Sequence, residues 1–159
     1  MFSKEECRSI IWDTSRVIKG WDMKDRRYNS LSVEYTNDTK WIFDRLKNFF
    51  EDETDLKIIK IKKEIHFHKF SKGDWFGKHN DNRDKRLYGV GVLLNEDFEG
   101  GEFKMYNESE LTLDKLIGNT YLFDVRIEHE VTPIISGNRY SLLWFLQDEH
   151  INFTKKSII

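Results

Sequence analysis

The chain has 159 residues, with no alanine, one proline (Pro133) and one cysteine (Cys7), and its 26 basic and 28 acidic residues leave a formal charge of −2. That balance gives no broad attraction to nucleic acid or an anionic membrane. A mean hydropathy of −0.67 without a long apolar run excludes a membrane-spanning helix, and 5 Trp, 6 Tyr and 12 Phe argue against disorder.

The length predicts one domain over 1–159. Residues 1–56 read as mostly helical support, 57–147 as a β core and 148–159 as a C-terminal tail. Ser3 and Glu6 form a capping box for a first helix running to about Lys19, where Gly20 is a stop signal. Ile10, Ile11, Val17 and Ile18 supply its apolar stripe. Residues 28–35 read as a strand. A second helix starts at Asn37 or Asp38 and runs through Phe50, with Trp41, Ile42, Leu46, Phe49 and Phe50 on one side.

From residue 57 the pattern is β. Residues 57–70 alternate, with Ile59, Ile61, Ile65 and Phe67 on one face. Further strands are expected at 88–94, 102–106, 120–123, 129–135 and 139–146, separated by Gly-containing turns. Two helices followed by many short strands predict an α+β chain that is mainly β, a jelly roll with its helices packed against one sheet.

Five histidines carry the chemical signal: His66, His68, His79, His129 and His150. His79 and Asp81 are two apart, which on a strand turns both side chains to one face. Alone, such a pair arises easily by chance. With a distant histidine it would make a two-histidine, one-carboxylate triad, which holds Fe(II) and leaves coordination positions open. Arg139 follows His129 by ten residues across a Ser136-Gly137-Asn138 turn, so the two fall on neighbouring strands. Arg139 and Ser141 share a face and suit a carboxylate.

The segments Phe70-Ser71-Lys72-Gly73-Asp74-Trp75-Phe76-Gly77-Lys78-His79-Asn80-Asp81, Leu93-Leu94-Asn95-Glu96-Asp97-Phe98-Glu99-Gly100-Gly101-Glu102, Gly118-Asn119-Thr120-Tyr121-Leu122-Phe123, His129-Glu130-Val131-Thr132-Pro133 and Gly137-Asn138-Arg139-Tyr140-Ser141-Leu142 occur in a telling order. Together they resemble the iron(II)/2-oxoglutarate-dependent dioxygenases, in their prolyl 4-hydroxylase-like branch. The resemblance implies a double-stranded β-helix, the cupin-like form of the jelly roll. It implies His79, Asp81 and His129 as the catalytic Fe(II) ligands and Arg139 as the 2-oxoglutarate carboxylate clamp, with O2 as oxidant and ascorbate as reductant. The second donor to 2-oxoglutarate is left among Ser141, Tyr88 and Tyr121, because Phe70 and Leu93 stand where relatives carry tyrosine. Asp81 favours hydroxylation, since related halogenases lack that carboxylate.

By resemblance the substrate is a protein or peptide residue, prolyl first. A free amino acid, another small molecule or a nucleobase is the alternative, and a non-catalytic binding module is third. Nucleic acid is disfavoured, because Phe145 stands where demethylating relatives carry a second arginine. Residues 82–87 and 105–112 are the expected rims of the pocket. His66 and His68 either line its mouth or belong to an outward polar face with Lys60, Lys62 and Glu64, the second reading being preferred. A cupin-type His66-x-His68 ligand pair would leave Arg139 unused. His150 is expected at the surface, and Trp75, Phe76 and Trp144 in the core. Cys7 suits a reducing cytoplasm, and Met1-Phe2-Ser3-Lys4-Glu5-Glu6 lacks a signal-peptide core. Missing alanine reads as the bias of an AT-rich phage, viral or bacterial genome.

Overall fold

The computed structural model describes residues 1–14 and 19–153. In chain order the elements are α1 (Lys4–Thr14), β1 (Lys19–Met23), β2 (Arg26–Glu34), α2 (Lys40–Thr54), β3 (Lys57–Ile58), β4 (Glu64–Phe70), β5 (Trp75–His79) and β6 (Arg86–Leu93). They continue with β7 (Glu99–Gly100), β8 (Phe103–Asn107), β9 (Ser109–Thr112), β10 (Thr120–Asp124), β11 (Glu128–Val131), β12 (Ile134–Ser136), β13 (Arg139–Gln147), a 3-10 turn (Asp148–His150) and β14 (Ile151–Asn152).

The capping box forms as the sequence implies: Ser3 N–H donates to Glu6 Oε1 at 2.8 Å, and Glu6 N–H donates to Ser3 Oγ at 3.1 Å. The first helix ends at Thr14, and Lys19 already lies in a strand. Val17 and Ile18 fall outside the described residues. The second helix begins later than Asn37 or Asp38, with Thr39 as its N-cap, and ends at Asp55 in the left-handed region. Ile42, Phe43, Leu46 and Phe50 are its buried stripe.

One curled sheet carries the molecule, in the order β10-β6-β13-β4-β2-β5-β11-β8-β9, with β1 pairing β2. The consecutive pairs in that order are antiparallel. One face packs on the helices: Cys7, Phe43, Leu46 and Phe50 meet Ile65, Phe67, Val90, Leu142 and Trp144 in a single buried cluster. A second cluster, with Tyr28, Phe70, Phe103, Tyr121, Phe123, Val131 and Phe145, holds the strands of the curl together. Phe103 of β8 and Tyr121 of β10 come within 5.0 Å, ring centre to ring centre, although their strands lie far apart in the sheet order. This is the double-stranded β-helix, with helices on one sheet.

Several boundaries differ from the sequence reading. Residues 57–70 are not one strand: the chain bends between β3 and β4, and Ile59 is 66% exposed. Pro133 splits the expected 129–135 strand, since it has no N–H to give a ladder, and its carbonyl accepts from Gly101 N–H instead. Within the expected 148–159 tail, Ile151–Asn152 form β14, which pairs β3. His150 is buried rather than at the surface, its Nδ1 accepting from Gln147 N–H at 3.0 Å.

Candidate metal and carboxylate site

The site is built where β5 and β11 pair. Their register sets His129 directly opposite His79, which turns both rings to one face. The ring centres are 4.4 Å apart. β5 ends at His79, so Asp81 is not positioned by strand alternation. It is held by its N–H donating to Val125 C=O at 2.9 Å and by its C=O accepting from Arg83 N–H at 2.8 Å. Asp81 and His129 are buried. One ligand atom from each of His79, Asp81 and His129 lies within 4.8 Å of the other two.

The donor set fits a divalent cation. Nδ1 of His79 lies 2.6 Å from Gly77 C=O, and Nδ1 of His129 lies 3.0 Å from Ile127 C=O. A carbonyl can only accept, so each Nδ1 carries the proton and each Nε2 presents a lone pair. Burial drives the His79 pKa down to about 4, so its ring is neutral. Asp81 Oδ2 is buried without a hydrogen-bond partner although His129 Nε2 is 2.9 Å away. Two lone-pair atoms at that distance repel one another unless a metal cation or a proton joins them.

These groups open into a cavity of about 180 Å³. Arg139, the first residue of β13, is 2% exposed. Its Nε donates to Gly101 C=O at 3.0 Å and its Nη1 to Ser141 Oγ at 3.2 Å. The Tyr121 phenol lies beside the same guanidinium, and burial pushes its pKa up, so it remains a donor. Two close approaches make this packing possible. A Cβ on Gly101, whose φ is +59°, would meet Ile134 Cδ1 at 2.3 Å and Arg139 Cδ at 3.2 Å. A Cβ on Gly91 would strike the Tyr121 ring at 2.2 Å.

Of the residues expected from sequence, His79, Asp81, His129, Arg139, Ser141 and Tyr121 line one cavity. Tyr88 does not: it points to the helical side and meets Phe50 at 5.3 Å. His66 and His68 also line the cavity, which corrects the outward reading. Phe76 stacks on His79 at 3.6 Å, so it belongs to the site as well as to the core. Residues 82–87 do form a rim, through Arg83 and Arg86, whereas 105–112 form the β8–β9 hairpin beside a separate surface groove. Sequence reasoning missed Arg26, Tyr28 and Phe103, none of which stands in a motif, and reached Arg83 and Arg86 only as part of the 82–87 rim. Tyr28 stacks on Phe70 at 4.9 Å and brings a phenol to the wall where Phe70 has none.

Residues 65–147 match the 2OG-Fe(II) oxygenase superfamily. The chain belongs to that superfamily and is an oxidoreductase whose cofactor set is Fe(II), 2-oxoglutarate and O2. Solved structures agree on the fold. A Pseudomonas putida prolyl-4-hydroxylase is 20% identical, with 92% of this chain and 88% of that one covered and a TM-score of 0.75. A Trichoplax adhaerens prolyl hydroxylase in complex with a hypoxia inducible factor peptide fragment is 18% identical, with 92% and 79% covered and a TM-score of 0.75. A viral collagen prolyl hydroxylase from Paramecium Bursaria Chlorella virus-1 is 18% identical, with 91% and 90% covered and a TM-score of 0.73. No curated protein matches the chain. No helix among the described residues is long and apolar enough to cross a membrane.

Proposed function

We propose that the chain hydroxylates a protein or peptide residue, prolyl by preference, with His79, Asp81 and His129 as its iron ligands and Arg139 as its 2-oxoglutarate clamp. The observation that carries this reading is the lone-pair convergence of His79 Nε2, His129 Nε2 and an unpartnered Asp81 oxygen in one buried cluster. When bound, Fe(II) couples decarboxylation of 2-oxoglutarate to succinate and CO2 with hydroxyl insertion into a substrate C–H bond. The chain's own part is geometric. The carbonyls of Gly77 and Ile127 fix both imidazole tautomers, so the Nε2 atoms need no reorganisation to bind metal. Three protein ligands leave the remaining coordination positions to co-substrate and oxygen. Arg139 would meet the distal carboxylate of 2-oxoglutarate, helped by Ser141 and Tyr121, in a place too buried for water to compete. Phe103, Val131 and Phe145 give the cavity its apolar wall. Ascorbate is assigned as the reductant that keeps the iron ferrous, and the cytoplasm as the compartment, where the free, buried Cys7 stays a thiol.

The prolyl preference is supported by the neighbouring prolyl hydroxylase folds, one of them in complex with a peptide fragment. His79→Ala and Asp81→Ala should each abolish iron-dependent succinate production. Undiminished turnover in either variant would remove the ligand assignment.

A further inference from the structure

The two histidines of the cluster are held by different parts of the fold. His129 is enclosed: its side chain is 4% exposed, and the buried rings of Phe103 and Phe123 lie against it at 5.4 and 4.8 Å. His79 is the last residue of β5, and its side chain is 17% exposed. Apart from His129, the ring against it among the described residues is Phe76. Those two rings are 3.6 Å apart, centre to centre, and their planes are 13° from parallel.

A regular strand would not bring them together. Phe76 and His79 are three apart, and alternation sends such side chains to opposite faces. A bulge returns them to one face. His79 pairs with His129 and Phe76 with Val131, so Gly77 and Lys78 together stand opposite Glu130. An extra residue of this kind disrupts the ladder and re-aims a side chain. The tip of the β1–β2 hairpin fixes the bulge, because Gly77 N–H donates to Asp25 C=O at 2.7 Å. The same tip holds the ring. Arg26 stands directly opposite Phe76, and its Cζ lies 4.3 Å from the Phe76 ring centre. Asp25 in turn fixes that guanidinium, accepting from its Nε and Nη2 at 3.2 and 3.1 Å. Tyr28 adds a third ring, stacked on Phe76 at 5.4 Å. Phe76 is therefore held before any metal arrives.

The bond between His79 Nδ1 and Gly77 C=O fixes one point of the imidazole. A single bond leaves the plane of the ring free to tilt about it. A face-to-face neighbour removes that freedom and keeps the Nε2 lone pair aimed at the cluster. We propose that Phe76 is a positioning residue for the metal ligand His79, held in place by the hairpin tip at Asp25 and Arg26. Its contribution is to metal affinity and ligand geometry. The proposal rests on the ligand assignment above and deepens it.

The test adds Co(II) to the metal-free full chain and follows binding by calorimetry and by the visible d–d absorption, which reports ligand geometry. A melting curve of each metal-free variant shows that it is folded. Phe76→Leu keeps apolar bulk but loses the flat face, so it should bind Co(II) about 10-fold to 100-fold more weakly, with an altered d–d spectrum. Phe76→Tyr restores the face and should stay within about threefold of wild type, with the wild-type spectrum. If Phe76→Leu does not fold, Phe76→Met, whose flexible chain fills the gap without a ring, decides the matter in its place. Wild-type affinity and spectrum in the folded variant without the ring, or an equal loss in Phe76→Tyr, overturns the assignment. His79→Ala is measured in parallel. If it binds Co(II) as tightly as wild type, the ligand assignment itself falls. If it loses Co(II) while Phe76→Leu does not, only the role of Phe76 falls.

Discussion

Arg139→Ala is the sharpest test of the carboxylate clamp. The guanidinium is almost wholly buried, so a carboxylate bound to it exchanges water for two or more charged hydrogen bonds in a low-dielectric setting. Removing one partner of such a buried pair costs about 2–5 kcal/mol. At 1.4 kcal/mol per factor of ten, 2-oxoglutarate affinity should fall by about 30-fold to 4,000-fold. Arg139→Lys keeps the charge but loses the fork that also satisfies Gly101 C=O and Ser141 Oγ, so its loss should be smaller. The assay is a titration of 2-oxoglutarate into the Mn(II)-loaded protein, with a melting curve for each variant to separate lost binding from lost folding. A folded Arg139→Ala variant whose dissociation constant stays within threefold of wild type would refute the reasoning.

Two further outcomes follow from the same geometry. Gly101→Ala places a methyl against Ile134 and Arg139 at a φ of +59°, so it should cost about 1–3 kcal/mol of stability and weaken 2-oxoglutarate binding with it. A variant as stable as wild type in urea would mean that the turn relaxes freely. His68 is held neutral by burial, with its pKa driven down to about 3, against about 6.5 in an unfolded chain. Between those values the unfolded state binds the extra proton, so stability is intact above pH 6.5 and is lost as pH falls toward 3. The loss at pH 5 should be about 1–2 kcal/mol. Urea unfolding at pH 7 and pH 5 measures it, and a His68→Asn variant that loses as much as wild type would assign the acid sensitivity elsewhere.

The two histidines on β4 show where sequence parity runs out. Alternation correctly put His66, His68 and Phe70 on one face and Ile65 and Phe67 on the other. It could not say which face of that strand looks into the curl, because both faces are covered: one by the helices, the other by the cavity. Residues 57–63, with their lysines, suggested a solvated strand that continued into residue 64, and the bend before β4 breaks that continuity. His150 escaped for a similar reason. Its neighbours Asp148 and Glu149 are polar, but pairing of β14 with β3 closes over it. Tyr88 has its own explanation: it alternates with Gly89, so it faces the helices while Gly89 leaves room for Phe123.

The metal cluster was legible for a different reason from the fold. His79 and Asp81 are close in sequence, but the hairpin expected to set His129 and Arg139 on neighbouring strands does not form: β11 and β13 have β4, β2 and β5 between them, and it was the order of the motifs, not a local rule, that pointed to the cluster. What no local rule supplies is the pairing of β5 with β11, which sets His129 opposite His79, fifty positions away in the chain. Arg86 was reached only as part of the 82–87 rim, because a single arginine at a strand start has no spacing to test. Its signal is energetic rather than sequential. Its Nη1 is buried beside Phe145 with no acceptor among the described residues, and an unmet donor of that kind costs stability.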